Sequence, residues 1–182
     1  MELLISMLRG INVSGQKRIA MPELKELYEN LNFSAVSTYI NSGNVVFASV
    51  GSDTAILSEK IEREIFKKFG FEVPVIIRTA KEMRSVLSNN PFLKESGIDR
   101  EKLHVTFLSD KPANDGIKKI LEYDYKPDRL IVGATEAFLY CPNGYGRTKY
   151  TNSFLENKLK VKATTRNWKT VKELAMLAGS SG

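Results

Sequence analysis

Two short segments of this 182-residue chain carry the residue types that anion chemistry needs. One is Gly144-Tyr145-Gly146-Arg147-Thr148-Lys149, and the other is Thr164-Thr165-Arg166-Asn167-Trp168-Lys169-Thr170. Each reads as a junction between a strand and a helix. Amide groups at a helix start, helped by the helix dipole, favour negative charge. Gly146 lets the backbone approach a ligand closely. Arg147 offers a bidentate fork and Lys149 a point charge. Arg166 lies on a short strand, where a guanidinium needs a carboxylate or a bound anion. Asn167 and Trp168 follow it. An indole beside a cation can stack on a base or anchor a helix on a sheet, and anchoring is the preferred reading. The P-loop spacing is absent, so no nucleotide fingerprint is claimed.

A second group stands in the first half. Arg9-Gly10-Ile11-Asn12 leaves the first apolar run directly, with Lys17 and Arg18 close behind. Asn41-Ser42-Gly43-Asn44 adds amides and a hydroxyl at a hairpin turn. Loops at strand ends carry function more often than helix faces, although Asn and Gly are also plain turn formers. The candidate anion-binding residues are therefore Arg9, Asn12, Lys17, Asn41, Ser42 and Asn44 in one half. In the other half they are Gly146, Arg147, Lys149, Arg166, Asn167 and Trp168.

Other chemistries find little support. His104 has no predicted cysteine or carboxylate companion, and Cys141 reads as a buried thiol. Asp110, Asp115, Asp128 and Glu136 include no pair at general acid–base spacing. No metal site and no cofactor are expected. An RNP1-type RNA-binding strand is disfavoured, because neither Gly43-Asn44-Val45-Val46-Phe47 nor Glu136-Ala137-Phe138-Leu139-Tyr140 fits its pattern.

The elements that must position these residues follow from periodicity. Leu3–Leu8 reads as a buried strand. Pro22 opens a helix with a Leu24, Leu27, Tyr28, Leu31 stripe. Val36–Ile40 and Val45–Phe47 form a hairpin. Ser52 or Asp53 caps a helix carrying Ile56, Leu57, Ile61, Ile65, Phe66 and Phe69. Val73–Ile77 is a strand that Pro74 confines to a sheet edge. A short helix runs from Ala80 to Ser88. The same order then returns: strand 103–108, helix around Ile117–Leu121, hairpin 130–140, helix around Phe154–Leu159, strand 162–166. A capping box, Thr170-Val171-Lys172-Glu173, opens the last helix.

This order predicts an α+β protein of two tandem ferredoxin-like halves, each a split βαβ (βαββαβ) unit with a mainly antiparallel sheet. The boundaries read as 1–90, a joint at 91–100, 101–178 and a flexible tail at 179–182. The topology brings Arg9–Arg18 beside Asn41–Asn44 at one sheet end. It likewise brings Pro142–Lys149 beside Arg166–Trp168, so that Arg147 and Arg166 would cradle one anion.

Formal net charge is +6, and between Arg147 and Lys172 eight cations face Glu156 alone. Such a field attracts phosphate-bearing partners. No apolar run approaches the roughly 20 residues of a membrane helix, so no membrane partner is expected. A single cysteine excludes an internal disulfide and suits a reducing compartment, hence a cytoplasmic location.

Four segments also carry a family likeness: Leu8-Arg9-Gly10-Ile11-Asn12-Val13, Tyr39 to Phe47, Asn90-Pro91-Phe92, and Ala163-Thr164-Thr165-Arg166-Asn167-Trp168. Together they resemble the bacterial domain-of-unknown-function 1697 family, over nearly the whole chain. Ser14-Gly15 departs from the Gly-Gly frequent there. The resemblance implies a cytoplasmic α+β protein and no particular activity. Three functional readings stand: a binder of a phosphorylated small molecule or nucleotide, an enzyme acting on such a ligand, or a sequence-tolerant nucleic-acid binder using residues 147–172.

Overall fold

The computed structural model describes residues 1–51 and 53–179. The chain divides into two compact units, Met1–Arg84 with the stretch from Glu173, and Ser85–Lys172. In the first unit, β1 (Glu2–Leu8), α1 (Met21–Asn30), β2 (Ser34–Tyr39), β3 (Asn44–Ser49), α2 (Thr54–Phe69) and β4 (Val75–Thr79) follow one another. Their sheet is antiparallel in the order β2-β3-β1-β4. β4 has β1 as its one neighbour, which is the edge position that Pro74, just ahead of it, demands. α3 (Ala80–Asn89) follows.

The helices bury narrower stripes than periodicity predicts. α2 turns Leu57, Ile61 and Ile65 into the core but leaves Ile56 and Phe66 63% and 53% exposed. Asp53 caps it by accepting from the amides of Ala55 and Ile56 at 3.1 Å each, while Ser52 lies outside the described residues. α1 packs Leu24, Leu27 and Tyr28 inward. The Tyr28 hydroxyl reaches Ser6 Oγ on β1 at 2.7 Å, which gives both buried groups a partner. Burial holds the Tyr28 phenol well above its ordinary value.

The second unit repeats the plan: β5 (Leu103–Leu108), α4 (Asn114–Leu121), β6 (Arg129–Val132), β7 (Glu136–Tyr140), α5 (Asn152–Leu159) and β8 (Ala163–Asn167), in an antiparallel sheet of order β6-β7-β5-β8. α6 (Trp168–Gly179) closes the chain, and Ser180–Gly182 of the expected tail lie outside the described residues. Its start corrects the expected capping box. Asn167 Oδ1 accepts from Thr170 N at 2.8 Å, so the cap is three residues earlier and Thr170 is buried in the first turn. β8 runs straight into the helix, and the last strand residue becomes the cap.

The repeat extends beyond element order. Arg78 on β4 lies opposite Ile5 of β1, and Arg166 on β8 lies opposite Val105 of β5. Each donates from Nη1 to the carbonyl of the residue before it at 2.9 Å. Two unlike sequences thus keep a buried arginine at the same register position.

Candidate functional site

In the first unit the expected loops meet. Leu8 N donates to Gly43 O at 2.8 Å, tying the end of β1 to the β2–β3 turn. A Cβ on Gly43 would lie 2.7 Å from Leu8 Cβ and 2.8 Å from Ile11 Cδ1, and its φ is +79°, so only glycine fits. Asn12 staples the group. Its Nδ2 donates to Ile19 O and to Asn41 O, and its Oδ1 accepts from Ile19 N, each at 2.9 Å. Asn44 is fully buried and donates to Tyr39 O at 3.1 Å and to Ser42 Oγ at 2.8 Å. Lys17 Nζ donates to Glu72 O at 2.7 Å and fastens the loop to the α2–β4 connection. Arg9 is half-buried at the strand end. Of the six residues named from sequence in this unit, Asn12 and Asn41 line the cavity between these loops, while Lys17 and Asn44 brace the backbone around it.

Backbone conformation marks the same place. Asn12, Ser14, Lys17 and Ile40 take φ of +55°, +51°, +45° and +50°. A β-branched residue there is a genuine outlier, and such strain concentrates at functional sites. Between the loops lies an open cavity of about 490 Å³, lined by Asn12, Gly15, Arg18, Ala20, Met21 and Asn41. One wall is the start of α1, where the cap residue Ala20 supplies no side-chain hydrogen bond. Arg18 forms no ion pair among the described residues. Its guanidinium lies over Gly15, with Nη2 3.3 Å from where a Cβ would stand.

In the second unit the Gly-rich loop and the end of β8 also meet. The rings of His104 and Tyr145 stack with centroids 4.9 Å apart, and His104 opposes Asn167 across β5 and β8. The two arginines nonetheless sit in different settings. Arg166 is buried, and its Nη1 donates to Thr164 Oγ1 as well as to Thr165 O, each at 2.9 Å. Burial brings its guanidinium down to about 10, with Tyr145 acting in the opposite sense. It stays charged at neutral pH. Arg147 is exposed and lines a cavity of about 250 Å³ with Tyr125, Asp124, Asp128, Asn143 and Lys149. Gly146 is exposed beside it, Asn167 caps α6, and Trp168 is buried.

Part of the basic stretch is used internally. Lys149 Nζ lies 5.2 Å from the Tyr125 ring centroid. Lys158 Nζ donates to the Tyr123 hydroxyl at 2.7 Å and lies over the Tyr123 ring. Among the described residues no cluster of three or more metal-ligating side chains occurs. Cys141 is buried, and burial pushes its thiol up to about 11, so it is protonated and unreactive.

Burial likewise lowers His104 from its ordinary 6.5, against a weaker opposing hydrogen bond to Lys102 O. The folded protein thus binds this proton less readily than the unfolded chain. Stability from this residue is complete above about 6.5 and is lost as the pH falls toward the folded value. Denaturant midpoints of wild type and His104→Phe, compared from about pH 7.5 to about pH 5, are expected to diverge, with wild type losing more. Phenylalanine keeps the stack on Tyr145 and removes the titration. Parallel curves for the two proteins would assign the acid sensitivity elsewhere.

Two groups of lining residues had no sequence signal that singled them out as ligands. Arg18 stands next to Lys17 in sequence, and only the fold shows that Lys17 is spent on Glu72 while Arg18 is not. Asp124, Tyr125 and Asp128 precede β6, whereas Arg147 follows β7. The pairing of Arg129 with Tyr140 brings these two stretches together, and a hairpin reading extended outward by a few residues would have found them.

Two split βαβ halves with loop clefts at their sheet ends define an α+β protein of internally repeated architecture. The chain belongs to the family described as Protein of unknown function (DUF1697), whose family model matches residues 1–138. It is similar in structure to the conserved bacterial protein SP0830 from Streptococcus pneumoniae, at a TM-score of 0.76 and 25% identity, over 97% of this chain and 98% of that one. No curated protein matches it. Among the described residues no helix is long and apolar enough to cross a membrane.

Proposed function

We propose that the protein binds a phosphorylated small molecule or nucleotide in the first unit's cleft, between the β1–α1 loop and the β2–β3 turn. The observation that carries this reading is Arg18, an exposed guanidinium with no ion pair among the described residues, lining a cavity of about 490 Å³ beside a helix start that no side chain caps. A phosphate there would meet the positive end of α1 and a fork that binds its oxygens two at a time. Glu23, the acid of the first helical turn, is not among the cavity's lining residues. Asn12 and Gly43 hold the walls, and Arg9 and Lys17 add to the local field. The nucleic-acid reading is weaker, because Lys149 and Lys158 are already engaged with tyrosine rings. A cytoplasmic location accords with a lone, protonated, buried thiol.

The test is a titration of isotope-labelled protein with inorganic phosphate, then with a panel of nucleoside mono-, di- and triphosphates, followed by amide resonances. Saturable shifts are expected at Gly15, Arg18 and Met21. Arg18→Gln is expected to weaken binding at least about tenfold, the size of one lost charge-assisted contact. Arg147→Gln is expected to leave it unchanged. A panel that leaves these three amides unmoved at millimolar ligand would refute the assignment.

A further inference from the structure

We propose that the second unit's cleft, between the turn at 124–128 and the loop after β7, binds a small zwitterion of the free amino-acid type. Arg147 takes its carboxylate and Asp128 its ammonium group. The inference goes beyond the phosphate site proposed above and lies in the other unit, so either can fail without the other.

The charges in this cleft make the case. Asp124 is spent on Lys126, with Nζ 2.9 Å from its carboxylate. Lys149 is drawn over the face of Tyr125. Arg147 and Asp128 line the same cavity, yet neither forms an ion pair among the described residues, with the other or with any third group. Opposite charges that share a cleft without touching leave two open recognition points. An inorganic phosphate or a nucleotide would satisfy Arg147 and be repelled by Asp128. A diamine would satisfy Asp128 and be repelled by Arg147 and Lys149. A molecule carrying one charge of each sign satisfies both, and both attractions strengthen as water leaves the cleft. The guanidinium fork matches a carboxylate in two parallel hydrogen bonds. Lys149 already occupies the ring face of Tyr125, so the ligand's ammonium is directed to Asp128.

Size and anchoring agree. The cavity of about 250 Å³ falls below the roughly 300–1,000 Å³ of drug-sized ligands, which suits a single amino acid. Tyr125 and Pro127 add apolar wall. Both loops are braced. Arg147 N donates to Gly144 O at 3.2 Å and Thr148 N to Tyr145 O at 3.1 Å, in a short turn whose Tyr145 stacks on His104. Asp128 N donates to Tyr125 O at 3.0 Å. The recognition groups therefore stand on fixed turns, and binding needs little ordering of the chain.

The experiment titrates isotope-labelled full-length protein with the common free L-amino acids. Acetate, methylammonium and inorganic phosphate serve as single-sign controls. At least one amino acid is expected to shift the amides of Tyr125, Asp128 and Arg147 saturably at millimolar concentration. Its N-acetyl and carboxamide derivatives, each lacking one charge, are expected to bind at least about tenfold more weakly. Arg147→Gln and Asp128→Asn are each expected to cost about the same factor in amino-acid affinity. Both substitutions are at solvent-accessible positions, and the dispersion of the spectra verifies that the variants are folded. Two results would overturn the proposal. One is that no amino acid moves these amides. The other is that phosphate moves them and Asp128→Asn tightens it, which would mark a plain anion site.

Discussion

Gly43→Ala is expected to lower the free energy of unfolding by about 2–5 kcal/mol, combining roughly 1–2 for an alanine in the left-handed region with about 1–3 for overpacking. The turn has no room to yield. The added methyl would meet Leu8 Cβ at 2.7 Å and Ile11 Cδ1 at 2.8 Å, and both residues are buried in the core of the first unit. Moving the turn aside would break the Leu8 N to Gly43 O hydrogen bond that closes the sheet end. Urea denaturation should show a lower midpoint at unchanged slope. Gly70→Ala is the matched control: φ is +80° there as well, but nothing lies within 4 Å of the new methyl. It should lose the conformational part alone. Equal losses at the two positions would remove the contact argument.

Asn12→Ala is the second substitution with a large expected effect. It deletes three hydrogen bonds, two donated and one accepted, which join the β1–α1 loop to itself and to the β2–β3 turn. At roughly 0.5–1.5 kcal/mol each, the loss is about 1.5–4.5 kcal/mol. Alanine also tolerates a φ of +55° less well than asparagine does. Asn12→Gly removes the amide without that backbone cost, so the difference between the two variants reads the conformational part. Phosphate affinity should fall at least about tenfold in both, although Arg18 is untouched, because the cavity wall it shares with Asn41 comes apart. An Asn12→Gly protein as stable as wild type would show that the three bonds merely replace bonds to water.

The plan of both halves was legible because strand and helix periods differ, because Pro22 and Pro74 each permit few backbone states, and because Gly43 can take the left-handed conformation its turn needs. The meeting of 9–18 with 41–44 followed from topology alone, since strand direction fixes which loops share an end. What stayed hidden was the division of labour inside each cluster. Lys17 and Arg18 are neighbours of like charge, and their fates depend on the carbonyl of Glu72, which no local pattern encodes. Asn12 and Asn44 looked like ligand-facing amides but satisfy the backbone, because tight turns leave carbonyls that only a side chain can reach. Ile56 and Phe66 are apolar and belong to the same helix as the core residues, yet they stand in solvent, since a helix against one sheet face hides only one side of its circumference. Asp128 was named only as an isolated carboxylate, since its place beside Arg147 needs the β6–β7 pairing.

The grouping of the last helical stretch, from Glu173, with the first unit has a consequence for biosynthesis. The ribosome makes Met1–Arg84, then all of Ser85–Lys172, before it reaches the stretch from Glu173. At roughly 5–20 residues per second, the opening segment spends several seconds as an unfinished nascent polypeptide. Until then one of the two stretches that make up this unit does not yet exist.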